Sequence, residues 1–261
     1  GEVDRALGAV AQAHELAVSL DHPLTHALMY STHLALLWDL KLFDSIEELA
    51  PEVEEFCDEQ GYERLMLLLR CAAAEADPSQ IREVYDEAMK TAEELVAKES
   101  WATNQLYVGP LLRLCQLAGE YGKGLALAVE IWTESEIDVG RFQSEAWCAW
   151  LPDIYGCIGQ FKLMQADQED MPHMTAEERT AWREDVWAEG LRFLAQSVVA
   201  SRFAGASFGE LRALMRLHRA LEATKLAGAL RPREWMNDLD PTILNIICVG
   251  DRMRALYDTM D

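Results

Sequence analysis

Cations are scarce in this sequence. Lys and Arg number 23 against 45 Asp and Glu, for a net charge of −22 over 261 residues. Such a chain repels phosphate backbones and anionic bilayer surfaces, so neither nucleic acid nor a membrane is expected as a partner. Long apolar runs are missing as well. None reaches the roughly 18 residues that a bilayer-spanning helix takes, and the opening GEVDRALGAV has no basic-then-apolar leader. The six cysteines, Cys57, Cys71, Cys115, Cys148, Cys157 and Cys248, form no CxxC pair. Most sit in apolar helical stretches, as small buried hydrophobes do in a reducing cytoplasm, and a disulfide frame or zinc site is not expected. Strand signals are nearly absent: β-branched residues do not cluster, and no Asn-Gly or Asp-Gly hairpin turn occurs. Ser144, Ser201 and Ser207 have no GxSxG elbow, and no GxxxxGK[ST] loop is present. Neither an enzyme nor a bound cofactor is expected of this chain.

What the sequence has in quantity is apolar residues at three- and four-residue spacing. Leu65, Leu68, Leu69 and Ala72 are one such set, and Val84, Ala88, Ala92 and Leu95 another. A longer period lies over the short one. Val3, Phe43, Ile81, Tyr121 and Phe161 each stand in a short turn between two helical patterns, about 40 residues apart. A helical hairpin cannot bury its apolar face alone, so hairpins with this period stack, and the turn residue plugs the joint. The expected fold is therefore all-α, an α-solenoid of degenerate helix-turn-helix repeats forming a single domain over residues 1–261. Helices are expected at 1–18, 22–40, 44–60, 62–76, 79–98, 102–119, 123–136 and 142–158. A polar insertion at 166–179 is expected to be a loop. Thr175 and Glu178 then form a capping box for a helix at 176–200. Capping helices at 206–227 and 241–259 close the chain within 206–261. Because the first turn falls at Val3, in mid-hairpin, Gly1 is read as the edge of a fragment of a longer protein.

The strings GEVDRALGAVAQAHELAVSLDHP, LRLCQLAGEYGKGLALAVEI and AEGLRFLAQSVVASRFAGASFGELRALMRL resemble the tetratricopeptide superfamily. More narrowly, the chain resembles the longer degenerate repeats that follow the ATPase module in bacterial class III nucleotidyl cyclases and in LuxR-type regulators similar to the maltose regulator. The run Glu210-Leu211-Arg212-Ala213 and the closing NDLDPTILN carry that narrower likeness. The resemblance implies a module that senses a protein or small effector for attached catalytic or DNA-binding domains. The small-residue position of the second helix holds Ala6, Ile46, Val84 and Gly124, so two of these four are large.

Several residue groups raise a sharper chemistry. His22, His26 and His33 fall on one helical face at offsets of 4 and 11, a spacing zinc accepts. They are the basis of an alternative reading as a metal-binding enzyme. Ordinary core or groove histidines are the preferred reading, because no Cys or Glu completes a tight set nearby. Gly119, Gly122 and Gly124 form GxxGxG after a helix, where a phosphate loop needs a strand before it; a turn with room for close helix approach is expected. The acids Glu52, Glu54, Glu55, Asp58 and Glu59 read as a solvated face. Trp147 and Trp150 suggest a small-ligand pocket as a further alternative. The main expectation is a recognition scaffold in the cytoplasm with a concave groove lined by first helices, at Ser31, Trp38, Asp39, Arg113, Gln116 and Asp153. The partner expected is a protein or peptide, with a homodimer as the alternative.

Overall fold

The computed structural model describes residues 2–20, 22–96, 105–139, 151–169, 171–203, 207–227, 236 and 242–260. All the regular elements among them are helical, and none of these helices is long and apolar enough to cross a membrane. Two compact units divide the chain, Gly1–Ala118 with Met260–Asp261, and Gly119–Thr259.

The first unit holds α1 (Glu2–Leu20), α2 (Pro23–Asp39), α3 (Phe43–Gln60), α4 (Glu63–Ala76), a 3-10 turn (Pro78–Gln80), α5 (Ile81–Val96) and α6 (Gln105–Leu117). Local chemistry sets these boundaries. Pro23 opens α2, where its missing N–H is no loss. At the other end Lys41 takes the left-handed conformation at φ 59°. Its N–H donates to the Trp38 carbonyl at 3.1 Å while Leu42 N–H donates to the Leu37 carbonyl at 2.9 Å, a Schellman end. Gly61 closes α3 at φ 72°, where a glycine carries no Cβ penalty. Asp77 accepts from Ser79 N–H at 3.1 Å and from Gln80 Nε2 at 2.7 Å to start the 3-10 turn. Helix α4 packs on α2 and α3, and α6 packs on α4 and α5. The stripe Leu65, Leu68, Leu69 and Ala72 is buried in this core with Leu34, Val53, Ala88, Leu111 and Leu112.

The second unit holds α7 (Tyr121–Val139), α8 (Leu151–Gln168), α9 (Ala176–Phe203), α10 (Ser207–Ala227) and α11 (Ile246–Met260). Helix α8 sits against α7, α9 and α10. The α8–α9 crossing is tight because glycines meet there. A Cβ on Gly159 would lie 2.8 Å from the Gly190 carbonyl oxygen and 2.7 Å from Leu194 Cγ. The capping box forms as expected. Thr175 N–H donates to Glu178 Oε2 at 2.8 Å, and Glu178 N–H donates to Thr175 Oγ1 at 3.2 Å.

Phe43, Ile81 and Tyr121 each stand half-buried at the first residue of a helix. Phe161 does not. It is fully buried in the interior of α8, with its ring over Gly124 of α7. The expected turn near 161 is therefore replaced by continuous helix, which runs to Gln168 and takes up the start of the expected loop at 166–179. A core aromatic at the right distance imitates a joint residue, because burial demands the same residue type in both places. Val3 lies in α1. Residues 142–150 and Pro232 and Pro241 fall outside the described residues.

Candidate functional site

Three of the proposed groove residues meet in the first unit, and a fourth residue joins them. Trp38 and Asp39 end α2, Glu75 lies near the end of α4, and Arg113 lies in α6. The Trp38 indole N–H donates to Glu75 Oε2 at 2.6 Å, and Arg113 Nε donates to the same oxygen at 2.7 Å. Arg113 Nη1 reaches Asp39 Oδ1 at 3.3 Å, and its guanidinium lies 4.4 Å from the centre of the Trp38 ring. The Lys41 ammonium completes the set on the other Glu75 oxygen. Burial disfavours the Glu75 carboxylate, but the hydrogen bonds from Lys41, Arg113 and Trp38 outweigh it and hold Glu75 below the ordinary glutamate range. Glu75 was not among the expected residues, although its signal is in the sequence. It stands 37 residues after Trp38 and 38 before Arg113, at the repeat period.

The other expected positions are placed differently. Ser31 is buried, and its hydroxyl donates to the Ala27 carbonyl of its own helix at 2.7 Å. Gln116 is half-buried one turn beyond Arg113. Asp153 belongs to the second unit, at the start of α8, where it pairs with Arg212 at 2.9 Å and Arg216 at 3.6 Å. Gly156 makes room for Arg216, whose guanidinium lies where a Cβ would stand. In the same unit Glu210 is a buried carboxylate. It accepts from Arg202 Nε at 2.6 Å and from Arg252 at 3.0 and 2.8 Å, and so ties α9, α10 and α11 together. Burial raises its pKa, but the two arginines prevail and the net shift is downward.

The three histidines do not converge. His22 is exposed ahead of α2, whereas His26 stacks on Phe56 with ring centres 5.9 Å apart. Burial, and then His14, hold His33 below the ordinary histidine range. Among the described residues no group of three or more His, Cys, Asp or Glu is placed to hold a metal ion. A shallow pocket of about 320 Å³ lies beside His26, Tyr30, Phe56, Glu52, Glu55 and Glu59. Tyr30 donates to Glu52 Oε1 at 2.6 Å, and burial followed by this carboxylate pushes the Tyr30 pKa upward. Trp147 and Trp150, the basis of the small-ligand reading, lie outside the described residues.

A larger cleft of about 570 Å³ opens between α3, α4 and α5. Phe43, Ile46, Leu69 and Val84 contribute apolar surface, and Glu47, Glu54, Asp77, Glu83 and Glu87 contribute carboxylates. Among the described residues Arg70 is its one lining cation, and it pairs with Glu87. Ile46 and Val84 are the two large residues at the position where the repeat pattern places small ones. Both are buried in the core beside the cleft.

Compared with protein-family models, with curated proteins and with solved structures, the chain matches none.

Proposed function

We propose that this chain is a non-catalytic recognition scaffold, a stack of helical hairpins that binds a basic protein segment in the cleft between α3, α4 and α5. The observation that carries this reading is the cleft's composition: an apolar floor under five carboxylates, with one arginine already engaged by Glu87. An extended or helical peptide with alternating apolar and Lys or Arg residues suits such a surface. Its apolar anchors supply most of the affinity, and the carboxylates supply the approach rate and the preference for cations. Trp38, Asp39 and Arg113 contribute through Glu75 by fixing α2, α4 and α6 relative to one another. Ser31, Gln116 and Asp153 complete the set of candidate positions read from the sequence. The resemblance to repeat regions of bacterial cyclases and regulators supports a place in signalling, where the bound segment would report to attached domains.

The test is fluorescence anisotropy with a labelled amphipathic Lys-Leu peptide and its Glu-Leu counterpart. The Lys-Leu peptide should bind and the Glu-Leu peptide should not. Glu54→Lys with Glu83→Lys should weaken binding at least tenfold, whereas Asp251→Lys with Asp258→Lys, which removes the same charge from α11, should change it less than threefold. Equal losses in the two variants would reduce the effect to bulk charge and remove the cleft from the proposal.

A further inference from the structure

The pocket between α2 and α3 has aromatic walls. Pro23, His26 and Tyr30 stand at i, i+3 and i+7 on α2, and Glu52, Glu55, Phe56 and Glu59 at i, i+3, i+4 and i+7 on α3. Each set therefore shares one helix face, and with Gln60 the two sets line a space of about 320 Å³. Ligand sites run from roughly 300 to 1,000 Å³, so this one suits a small group. Its rings are inclined to one another. Tyr30 lies at 41° to His26 and at 54° to Phe56, with centres 6.3 and 5.3 Å apart. Two further rings brace them: Tyr62 stacks on Phe56 at 5.4 Å, and His14 meets Tyr30 edge-on at 6.5 Å. The hydrogen bond from Tyr30 to Glu52 joins the two helices at the pocket. Among the described residues no Lys or Arg lines it, and none of its lining residues lines the cleft between α3, α4 and α5.

We propose that this pocket binds a quaternary ammonium group, held by the rings of Tyr30 and Phe56, with His26 as a third wall and Glu52, Glu55 and Glu59 as countercharge. Aromatic rings attract a cation through their quadrupole, most strongly when the cation is desolvated. A primary ammonium is strongly hydrated and has three N–H bonds to satisfy. A guanidinium is planar and stacks best on one flat face. A quaternary ammonium has no N–H, and its charge is spread over a rounded apolar surface. Rings set at 41° and 54° to one another suit that shape, and three carboxylates without a lining cation suit its charge. Choline and trimethylated lysine carry the same group, one as a free molecule and the other as a protein side chain.

Isothermal titration calorimetry of the full chain tests the proposal with three probes. Choline has the charge and the methyl groups, ethanolamine has the charge alone, and the alcohol in which a tert-butyl group replaces trimethylammonium has the shape alone. Choline should bind one to one with a Kd below about 1 mM, and each analogue about tenfold more weakly or worse. Phe56→Leu keeps apolar bulk but removes the ring, and should weaken choline about tenfold. Glu55→Gln with Glu59→Gln, both exposed, should also weaken it about tenfold. Asp44→Asn with Glu48→Gln removes the same charge from the exposed start of α3 and should change it less than about threefold. Circular dichroism checks that the variants keep their helices. A peptide with one trimethylated lysine assigns the source: tighter binding than choline supports a protein side chain, and weaker binding a free molecule. No saturation by choline up to about 10 mM, equal affinity for choline and either analogue, indifference to Phe56→Leu, or equal losses in the two charge variants would each overturn the proposal.

Discussion

Gly159 and Gly8 are both helical glycines, and their surroundings give them opposite value. The first lets α8 touch α9 through the backbone, while a Cβ on the second meets nothing within 4 Å. Gly159→Ala forces a methyl group against the Gly190 carbonyl, which cannot swing aside, and should cost about 1–3 kcal/mol despite alanine's better helix propensity. Gly8→Ala should stabilise by about 0.5–1 kcal/mol. Thermal melts of the two variants should therefore move in opposite directions. Glu210 supplies a second test at this scale. Its folded-state pKa is depressed by Arg202 and Arg252, so its contribution to stability is complete above the unfolded value near 4.5 and is lost as pH falls through the lower folded value. Glu210→Gln should lower stability at pH 7 and flatten the decline in melting temperature between about pH 5 and pH 3. An unchanged slope would show that other carboxylates control it.

Among the elements, α2, α4 and α6 are joined by the group around Glu75. Arg113→Ala leaves Glu75 and Asp39 without their shared cation and exposes one face of Trp38. It should cost about 2–3 kcal/mol, discounted for the partial exposure of the pair. Chemical denaturation read by circular dichroism measures this loss. The helices themselves were readable in the sequence from their apolar spacing, and one start from the Thr175–Glu178 box, whereas the ends at Pro23, Gly61 and Asp77 emerged with the structure. The Glu210-Leu211-Arg212-Ala213 run alternates ion pairs through Glu210 and Arg212 with core contacts through Leu211 and Ala213, roles that the sequence reading did not assign. Phe161 misled because spacing alone does not distinguish a ring buried against another helix from one that plugs a turn. The cleft was harder to find. Ile46 and Val84 registered as departures from a pattern, but the space beside them depends on how three helices pack, and one helix's periodicity does not contain that.

At the scale of the whole molecule, the buried thiols make it a recorder of its own opening. Cys57, Cys71 and Cys115 lie buried in the first unit and Cys157 in the second, while Cys248 is partly accessible. Burial pushes the Cys71 thiol up to about 12 and the Cys57 thiol up to about 11, so neither ionises appreciably near neutrality. Of these five described cysteines, alkylation by iodoacetamide at pH 8 should mark Cys248 first. Cys57, Cys71 and Cys115 should then react only as fast as the first unit opens, and Cys157 as the second does. Peptide mapping after timed pulses would give each unit its own unfolding rate, with no dye or fusion attached.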